Sequence, residues 1–412
     1  MKRLCLVLFL SGVVYLCGSC TGGGGRQPES VRNAGTVIPE YDRFLKKVAV
    51  SLGHQNIPLA EKYELLERLP AYTEIYLILP DTSAQSARAY LSDTSFGART
   101  TLIPYDSNPK DKGYLHFLDQ NSDSLVTERL PGTVPVQFGT TWTQDLFEVV
   151  TEPDSSRRLV ASAVHMFVWT EDNDNRKPVA DNDYLYHFAT RDMDVFKLPI
   201  VFTGGNLLFD QIGGRRIAFC GGDIVKNTRT VHGLFPGIAA PDSAIARIIR
   251  STFNVDEVGI ISGKSRPQPV LMFHLDQAVL FLHGGVAGVT SIVGSLPDNQ
   301  RARARIAEVE EYLTGLRGIL TGLGYTVVPV ETTVRNALNY EYYANAIPYI
   351  DAVSGERMLL MPVFSDGNAQ ANRETELKNT ALFESLGYHV IPVPLLAQKI
   401  KGGPHCMINV LE

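Results

Sequence analysis

Short runs of apolar and β-branched residues recur along the chain, and polar or glycine-containing segments separate them. Runs of this length, bounded by turn-forming residues, are typical of buried β-strands. The pattern therefore predicts strands at residues 75–79, 159–169, 199–202, 270–273, 326–330, 358–362 and 390–393.

Longer segments between these runs carry apolar residues at the spacing of an α-helix. The clearest is predicted at residues 299–322, where the positions that fall on one face within 303–322 are Ile306, Val309, Leu313, Leu316 and Leu320. Further helices are predicted at residues 30–33 leading towards 41–51, and at 242–252 and 372–386. Strands that alternate with amphipathic helices predict an α/β fold.

One stretch near the C-terminus is repeated. The sequence LGYTVVPV at residues 323–330 recurs 63 residues later as LGYHVIPV at residues 386–393. Each copy predicts a helix that stops at its glycine, followed by a β-branched strand. Repeated units of this kind bury a core only together, and five modules of roughly this size would account for the chain beyond its N-terminal region.

The first 34 residues are predicted to lie outside the fold. Lys2 and Arg3 precede an apolar run at residues 4–16, which is too short to span a membrane and fits a signal peptide. Small residues before Cys20, and glycines after it, resemble a bacterial lipoprotein signal with Cys20 as the lipidated residue. The alternative is ordinary secretion with cleavage nearby. We expect a signal at residues 1–20, a flexible linker at 21–34 and a single catalytic domain at 35–412.

Composition narrows the class of partner. The chain of 412 residues is 44% hydrophobic and 20% charged, as expected of a globular protein. Its formal net charge of −6 argues against nucleic acid as a partner. The predicted signal places the protein in the bacterial cell envelope, lipid-anchored, on a membrane face that the sequence does not specify.

Cysteine usage then becomes informative. Cys5 and Cys17 belong to the predicted signal and Cys20 to the lipid anchor, so Cys220 and Cys406 remain as thiols. An exported chain of this size needs no disulfide to be stable, so a free thiol calls for another explanation. A disulfide between Cys220 and Cys406 is the alternative, and the sequence favours two free thiols.

Cys406 lies in a segment suited to an exposed nucleophile. The sequence GGPHCMIN at residues 402–409 places a cysteine on a glycine-containing turn, at the close of the last predicted strand. Glycine permits close approach of a substrate, and a thiolate is the most potent side-chain nucleophile. A lone cysteine is more often a small buried hydrophobe. Three other clusters favour a nucleophile at Cys406 over a buried hydrophobe. They are WTQDLFE at 142–148, TGGNL at 203–207 and HLD at 274–276.

Together the four clusters resemble the guanidine-modifying superfamily with the pentein fold, and most closely the catalytic domain of the peptidylarginine deiminases. That family shows Trp-x-Gln-Asp-x-x-Glu, Gly-Asn-Leu, His-x-Asp and His-Cys-x-x-Asn-Val in this order. The matching residues here are Trp142, Gln144, Asp145, Glu148; Gly205, Asn206, Leu207; His274, Asp276; and His405, Cys406, Asn409, Val410. Bacterial agmatine deiminases are the next closest, although they usually carry arginine at the position of Gln144.

The resemblance implies a β/α-propeller of five ββαβ modules with pseudo-fivefold symmetry, in agreement with the repeat. It also implies a deiminase that converts the guanidinium of arginine residues, or of an arginine derivative, to a ureido product such as citrulline and ammonia. Asp145 and Asp276 would clamp the planar cation, and Cys406 would attack its central carbon. His274 would serve as acid and then as base.

Other residues receive lesser roles from the same resemblance. Trp142 is expected to wall the slot around the aliphatic stem of the substrate, and Asn206 to contribute to substrate binding. His274 and Asp276 are expected to share one face of a strand. His405 is expected to be structural, because neighbours along a strand point to opposite faces.

Two departures concern cofactor and substrate. Gln144 and Glu148 match two calcium-ligand positions of the animal peptidylarginine deiminases, but Leu208 stands where an acidic ligand is expected. We therefore expect no cofactor, with Gln144 and Glu148 as weak calcium candidates. Thr203 stands where agmatine deiminases carry glutamate, which argues mildly against agmatine.

Several readings stay open at the level of the sequence. The leading one is a deiminase of arginine in peptides or proteins. One alternative is a deiminase of agmatine or free arginine. Another is an amidinotransferase, in which an amine instead of water attacks the covalent thiouronium intermediate on Cys406. The last is a non-catalytic pentein that binds arginine-containing ligands. Retention of both Cys406 and His274 argues against the last.

Overall fold

The computed structural model describes residues 35–52, 59–105, 114–118, 125–129, 142–162, 165–167, 177–179, 194–233, 241–264, 266–364, 370–395 and 402–412. The predicted signal with Cys20, the linker and the helix proposed at residues 30–33 lie outside them. In the part of the chain that the structure describes, no helix is long and apolar enough to cross a membrane.

The fold is mixed α/β. Its strands are β1 Lys47–Ser51, β2 Glu74–Pro80, β3 Thr100–Tyr105, β4 Tyr114–Leu118, β5 Leu125–Arg129, β6 Phe147–Thr151, β7 Arg157–Ser162, β8 His165–Phe167, β9 Lys177–Val179, β10 Asp194–Leu198, β11 Leu207–Ile212, β12 Arg215–Gly221, β13 Glu257–Ile261, β14 Val279–Leu282, β15 Val286–Val293, β16 Thr326–Thr333, β17 Ile347–Ile350, β18 Arg357–Val363, β19 His389–Pro394 and β20 Ile408–Val410. Its α-helices are α1 Leu59–Arg68, α2 Ala84–Leu91, α3 Gly222–His232, α4 Asp242–Thr252, α5 Gln300–Leu323, α6 Val334–Leu338, α7 Gln370–Ser385 and α8 Pro404–Met407.

Five sheets share one arrangement. The strand orders are β20-β1-β2-β3, β10-β7-β6, β11-β12-β13, β14-β15-β16 and β17-β18-β19. Each combines an antiparallel pair with a parallel pair, as in β14–β15 and β15–β16. The parallel partners are joined by a crossover, which for β15 and β16 is α5. β4–β5 and β8–β9 form two small antiparallel sheets.

The repeated sequence corresponds to repeated structure. In the first copy α5 ends and Gly324 adopts a left-handed conformation (φ 99°), and in the second α7 ends and Gly387 does the same (φ 85°). A residue without Cβ adopts this conformation without strain, so the glycine terminates both helices. The strands that follow, β16 and β19, each pair in parallel with the preceding strand of their sheet.

Several predicted elements are confirmed. α4 matches the predicted bounds, α5 and α7 differ from theirs by a residue or two, and predicted strands fall within β2, β16, β18 and β19. Asn299 caps α5, since its side chain accepts a hydrogen bond from the backbone of Ala302. The apolar face predicted for α5 is buried.

Other predictions were wrong. The predicted helix at 41–51 is a single 3-10 turn, Glu40–Asp42, followed by β1, which lies between β20 and β2 and is buried on both faces. The predicted strand at 270–273 is a turn, in which Met272 N–H donates to the carbonyl of Pro269. These residues are apolar because they lie in the core and not because they form a strand.

Two further strands differ in extent. β10 ends at Leu198, before the predicted strand at 199–202, where the backbone amides of Val201 and Phe202 donate to the hydroxyls of Thr228 and Ser162 instead of to a neighbouring strand. The strand predicted at 159–169 is divided between β7 and β8, and its end at Trp169 lies outside the described residues.

Candidate active site

Each antiparallel pair of the five sheets is preceded by a short turn, and these turns carry the chemistry-bearing side chains. The 3-10 turns Thr143–Asp145, Gly204–Asn206 and Leu275–Gln277 precede β6, β11 and β14. The turn at Asn345 precedes β17, and α8 precedes β20. The motifs are thus separated in sequence and brought together by equivalent positions in the sheets.

The Thr143–Asp145 turn is fastened to the turn that carries Cys406. The Thr143 hydroxyl donates to the carbonyl of Met407 at 2.7 Å and accepts from the backbone N–H of Ser51 at 2.8 Å. Asp145 is buried, and its Oδ1 lies 3.7 Å from Nδ1 of His274. The backbone of Gly402 lies against the half-buried ring of Trp142: a Cβ there would be 3.0 Å from a ring carbon.

The glycine turn lets His274 and Asp276 approach its backbone. A Cβ on Gly205 would lie 2.7 Å from Nδ1 of His274 and 3.0 Å from Oδ2 of Asp276, so a side chain at this position is excluded. The Asn206 amide donates to the carbonyl of Phe273 at 3.0 Å and accepts from the backbone N–H of Leu275 at 2.9 Å. Asn206 therefore holds the His274 turn in place, and its polar atoms are engaged by the protein.

His274 and Asp276 meet at the site although they do not lie on a strand. His274 precedes the Leu275–Gln277 turn, and its backbone N–H donates to the side chain of Gln277 at 3.2 Å. Both residues are buried. Among the described residues, no group hydrogen-bonds to His274 Nδ1 or to Asp276 Oδ1. Buried polar atoms without partners are rare in native proteins, so these two atoms are suited to meeting a ligand.

Cys406 lies on α8, before β20, and not at the end of a strand as the sequence had indicated. Its thiol donates to Oδ2 of Asp276 at 3.2 Å. Asn345 holds it on the other side, since Nδ2 donates to the sulfur at 3.1 Å and Oδ1 accepts from the Cys406 backbone N–H at 3.3 Å. Burial, together with the negative charges of Asp276 and Asp145, raises the pKa of the Cys406 thiol well above its usual range.

His405 is also part of the cluster. Strand alternation does not turn His405 away from the site, contrary to the prediction, because α8 is a helical turn. Its Nδ1 lies 2.9 Å from Oδ2 of Asp276 and its Nε2 lies 2.7 Å from Oε1 of Glu40. Burial acts to lower the pKa of His405, but the two carboxylates outweigh it and raise that pKa well above its usual value. The imidazolium donates to both, and lowers the pKa of Asp276 in spite of its burial.

Glu40, Asn345 and Lys62 were missed by sequence reasoning. Glu40 and Asn345 belong to no motif, and only the folded chain brings them to Cys406 and His405. Lys62 did carry a signal. It falls on the apolar face of α1 with Leu59, Leu65 and Leu66, where a lysine is unexpected.

The two residues proposed for calcium contact each other. The Gln144 amide donates to Glu148 at 3.3 Å, and burial raises the pKa of Glu148 well above its usual range. The side chain of Leu208 carries no oxygen. Of the described residues, His274, Asp276 and Cys406 form a group whose ligand atoms lie within 4.8 Å of one another, and its donor types suit zinc better than calcium.

Cys220 and Cys406 are both free thiols, as the sequence favoured. Both are buried, so the expectation of an exposed Cys406 was wrong. Cys220 belongs to β12, and burial raises the pKa of its thiol. Cys220 lies in a core cluster of apolar side chains that includes Phe209 and Ile224, so it is accounted for by packing.

Comparison with known proteins shows the fold. No protein-family model matches the sequence, and a search of curated proteins finds no significant match. Among solved structures, the agmatine deiminase from C. jejuni superposes with a TM-score of 0.54 at 13% identity, covering 90% of this chain and 94% of that chain. A cysteine-to-serine variant of a C. jejuni agmatine deiminase with substrate bound gives 0.53 at 12% identity, covering 91% and 95%. A structure provisionally named peptidyl-arginine deiminase gives 0.53 at 11% identity, covering 90% and 97%. These likenesses confirm, at the level of the fold, the resemblance to the guanidine-modifying pentein enzymes.

Proposed function

We propose that this chain is a hydrolase that deiminates a terminal guanidinium, with Cys406 as the covalent nucleophile. The observation that carries the proposal is the convergence of Cys406 with His274 and Asp276, in which His274 Nδ1 and Asp276 Oδ1 have no hydrogen-bond partner among the described residues. Asp145 Oδ1 lies 3.7 Å from the same Nδ1 of His274. A planar cation with paired N–H donors satisfies two carboxylates at once.

The site residues can be assigned to steps of the reaction. With a guanidinium between Asp145 and Asp276, its positive charge offsets the two carboxylates that disfavour the thiolate. Cys406 passes its proton to His274, and the sulfur forms a bond to the central carbon. The C–N bond then breaks while His274 returns that proton to the departing nitrogen, which leaves as ammonia. The remaining covalent species is a thiouronium.

Water completes the cycle. His274 takes a proton from a water molecule that attacks the thiouronium carbon. As the C–S bond breaks, the remaining proton of that hydroxyl passes to the sulfur, so the ureido product leaves Cys406 as the free thiol. His274 then releases its proton to solvent. Asn345 is placed to donate to the sulfur while it carries negative charge. We propose that the ring of Trp142 forms one side of the substrate-binding cleft beside Gly402. We propose that Asn206 acts by holding the turn that carries His274 in place.

For the substrate, a small guanidine such as agmatine has better support than arginine in peptides, which the sequence had favoured. Agmatine deiminases, one of them with substrate bound, are among the structures that share this fold. The catalytic side chains are buried, which suits a guanidinium delivered on a slender aliphatic stem. Arginine in peptides is the second candidate, because a structure provisionally named for that activity superposes equally well.

A substrate panel tests the proposal. Agmatine, free arginine and an N-blocked arginine ester are incubated with purified protein, and ammonia and the ureido product are measured. We expect turnover of at least one, and none with Cys406→Ala. If the wild-type protein releases no ammonia from any of the three, the proposed function fails.

Two further experiments distinguish hydrolysis from amidinotransfer and test for metal dependence. Glycine or ornithine in the reaction would yield a new guanidino product if an amine intercepts the thiouronium in place of water. A chelator arm, with and without added calcium, tests the expectation that no metal is needed. A non-catalytic binder would release no ammonia from any of the three substrates, although an arginine analogue would protect Cys406 from labelling.

The architecture and the cellular location are further parts of the proposal. We propose that the five similar sheets are the blades of a pseudo-fivefold propeller around the site.

We also propose that Cys20 carries a lipid in the cell envelope. Labelled palmitate should enter the wild-type protein in cells and should not enter Cys20→Ala. Equal incorporation into both would remove Cys20 as the anchor.

A further inference from the structure

Lys62 is a buried cation beneath the candidate active site. It lies on α1 with 1% of its surface exposed, on the face that also buries Leu59, Leu65 and Leu66. Lysine is almost never fully buried in proteins, because its ammonium loses hydration there. Its position therefore requires a compensating role.

The ammonium connects the segments that position the nucleophile. Lys62 Nζ donates to the carbonyl of Ser51 at 2.6 Å and to the carbonyl of Met407 at 3.3 Å. Met407 follows Cys406 directly. The same Met407 carbonyl accepts from the Thr143 hydroxyl, which in turn accepts from the backbone N–H of Ser51. One network thus joins the end of β1, the turn that carries Asp145 and the helical turn that carries Cys406.

Charge also couples Lys62 to the nucleophile. Burial lowers the pKa of Lys62 to about 7, and the thiolate form of Cys406 acts in the opposite direction. A cation near a thiol favours the thiolate, whereas burial, Asp276 and Asp145 disfavour it. Lys62 is therefore a cationic group of the protein itself that supports ionisation of Cys406.

We propose that Lys62 is a positioning residue for Cys406: it fixes the carbonyls of Ser51 and Met407, and its ammonium favours the thiolate. This inference rests on the proposed function in so far as Cys406 is the nucleophile. Lys62 contacts the carbonyl of Met407, the residue next to Cys406, so we expect it to act through the placement and charge of Cys406.

The test uses Lys62→Met, which keeps the length of the side chain and removes the ammonium. Lys378→Met is the matched control, because Lys378 is exposed on α7 and pairs with Glu331 away from the site. We expect Lys62→Met to lower kcat by about 100-fold with KM within about threefold of wild type, since a displaced nucleophile costs this much without weakening substrate binding. Lys378→Met should leave both constants unchanged.

A second measurement reads the thiol directly. Iodoacetamide alkylation of Cys406, followed by peptide mass spectrometry, should be about tenfold slower in Lys62→Met at pH 7, because alkylation requires the thiolate. Thermal unfolding shows whether the variant is folded. Wild-type kcat and wild-type alkylation in a folded Lys62→Met protein would overturn the proposal.

Two other outcomes are equally decisive. Loss of activity that only tracks loss of folded protein would make Lys62 a structural residue and would also overturn the proposal. If the wild-type protein turns over none of the substrates, the proposed function has failed, and the alkylation comparison still decides whether Lys62 acts on Cys406.

Discussion

Replacing Lys62 by methionine should stabilise the protein below neutral pH while it lowers activity. The folded-state pKa of Lys62 is about 7, against an ordinary value of 10.5. Between these values the unfolded chain binds more protons than the folded one, so this residue makes stability rise with pH. The cost of burying the ammonium is fully present below pH 7 and fades as the pH approaches 10.5.

The magnitude follows from the same pKa. Lowering it from 10.5 to about 7 corresponds to about 5 kcal/mol, at 1.36 kcal/mol per pH unit. Methionine forfeits the hydrogen bonds to the carbonyls of Ser51 and Met407, worth about 1 kcal/mol each. The variant should therefore be more stable than wild type by about 3 kcal/mol at pH 6 and close to wild type at pH 9.

Urea unfolding of both proteins at pH 6 and pH 9 measures this difference. Other titrating groups are common to the two proteins and cancel when the variant is compared with wild type at each pH. Lys378→Met should show no such dependence on pH. A difference of the same size and sign at both pH values would refute the reasoning, since it would mean that Lys62 is not forced towards its neutral form by burial.

Three further results are expected around the site. Gly205→Ala should lower kcat/KM by about 100-fold in a folded protein, because its Cβ would lie 2.7 Å from a ring nitrogen of His274; near-normal kinetics would show that the turn can yield. Glu40→Gln should lower the pKa of His405, seen by NMR titration, because it removes one of the two carboxylates that raise it; an unchanged titration would contradict the pairing. Alkylation of Cys406 in the absence of substrate should keep rising with pH beyond pH 9, because its pKa is raised; a plateau below pH 8 would be inconsistent with that shift.

The sequence predicted which side chains lie close together better than it predicted the elements that carry them. Four motifs identified Asp145, His274, Asp276 and Cys406 as neighbours, and the structure brings His274, Asp276 and Cys406 within 4.8 Å of one another. The strand predicted to carry His274 and Asp276 was nevertheless wrong, because both residues lie at a 3-10 turn. The order of the motifs along the chain indicates which residues lie together in space, whereas hydrophobic periodicity and secondary-structure propensity do not.

The failures have a common physical cause. Apolar stretches such as residues 270–273 are buried without being strands, and residues 47–51 are buried on both faces, so they lack the alternation that marks a half-exposed strand. In a core made of several packed sheets, a buried segment is apolar whether its backbone forms a strand or a turn. Glu40 and Asn345 escaped prediction for the converse reason, because each acts through a contact with a residue distant in sequence.

The charges of the site explain why Cys406 is held as a thiol until a cation arrives. Burial, Asp276 and Asp145 raise the pKa of Cys406, while the positive charge of His405 is engaged by Asp276 and Glu40. A guanidinium placed between Asp145 and Asp276 brings the missing positive charge to the carboxylates that oppose ionisation. The same two side chains would then select the substrate and make activation of the thiol depend on its binding, so a neutral isostere that fills the slot should leave Cys406 protonated.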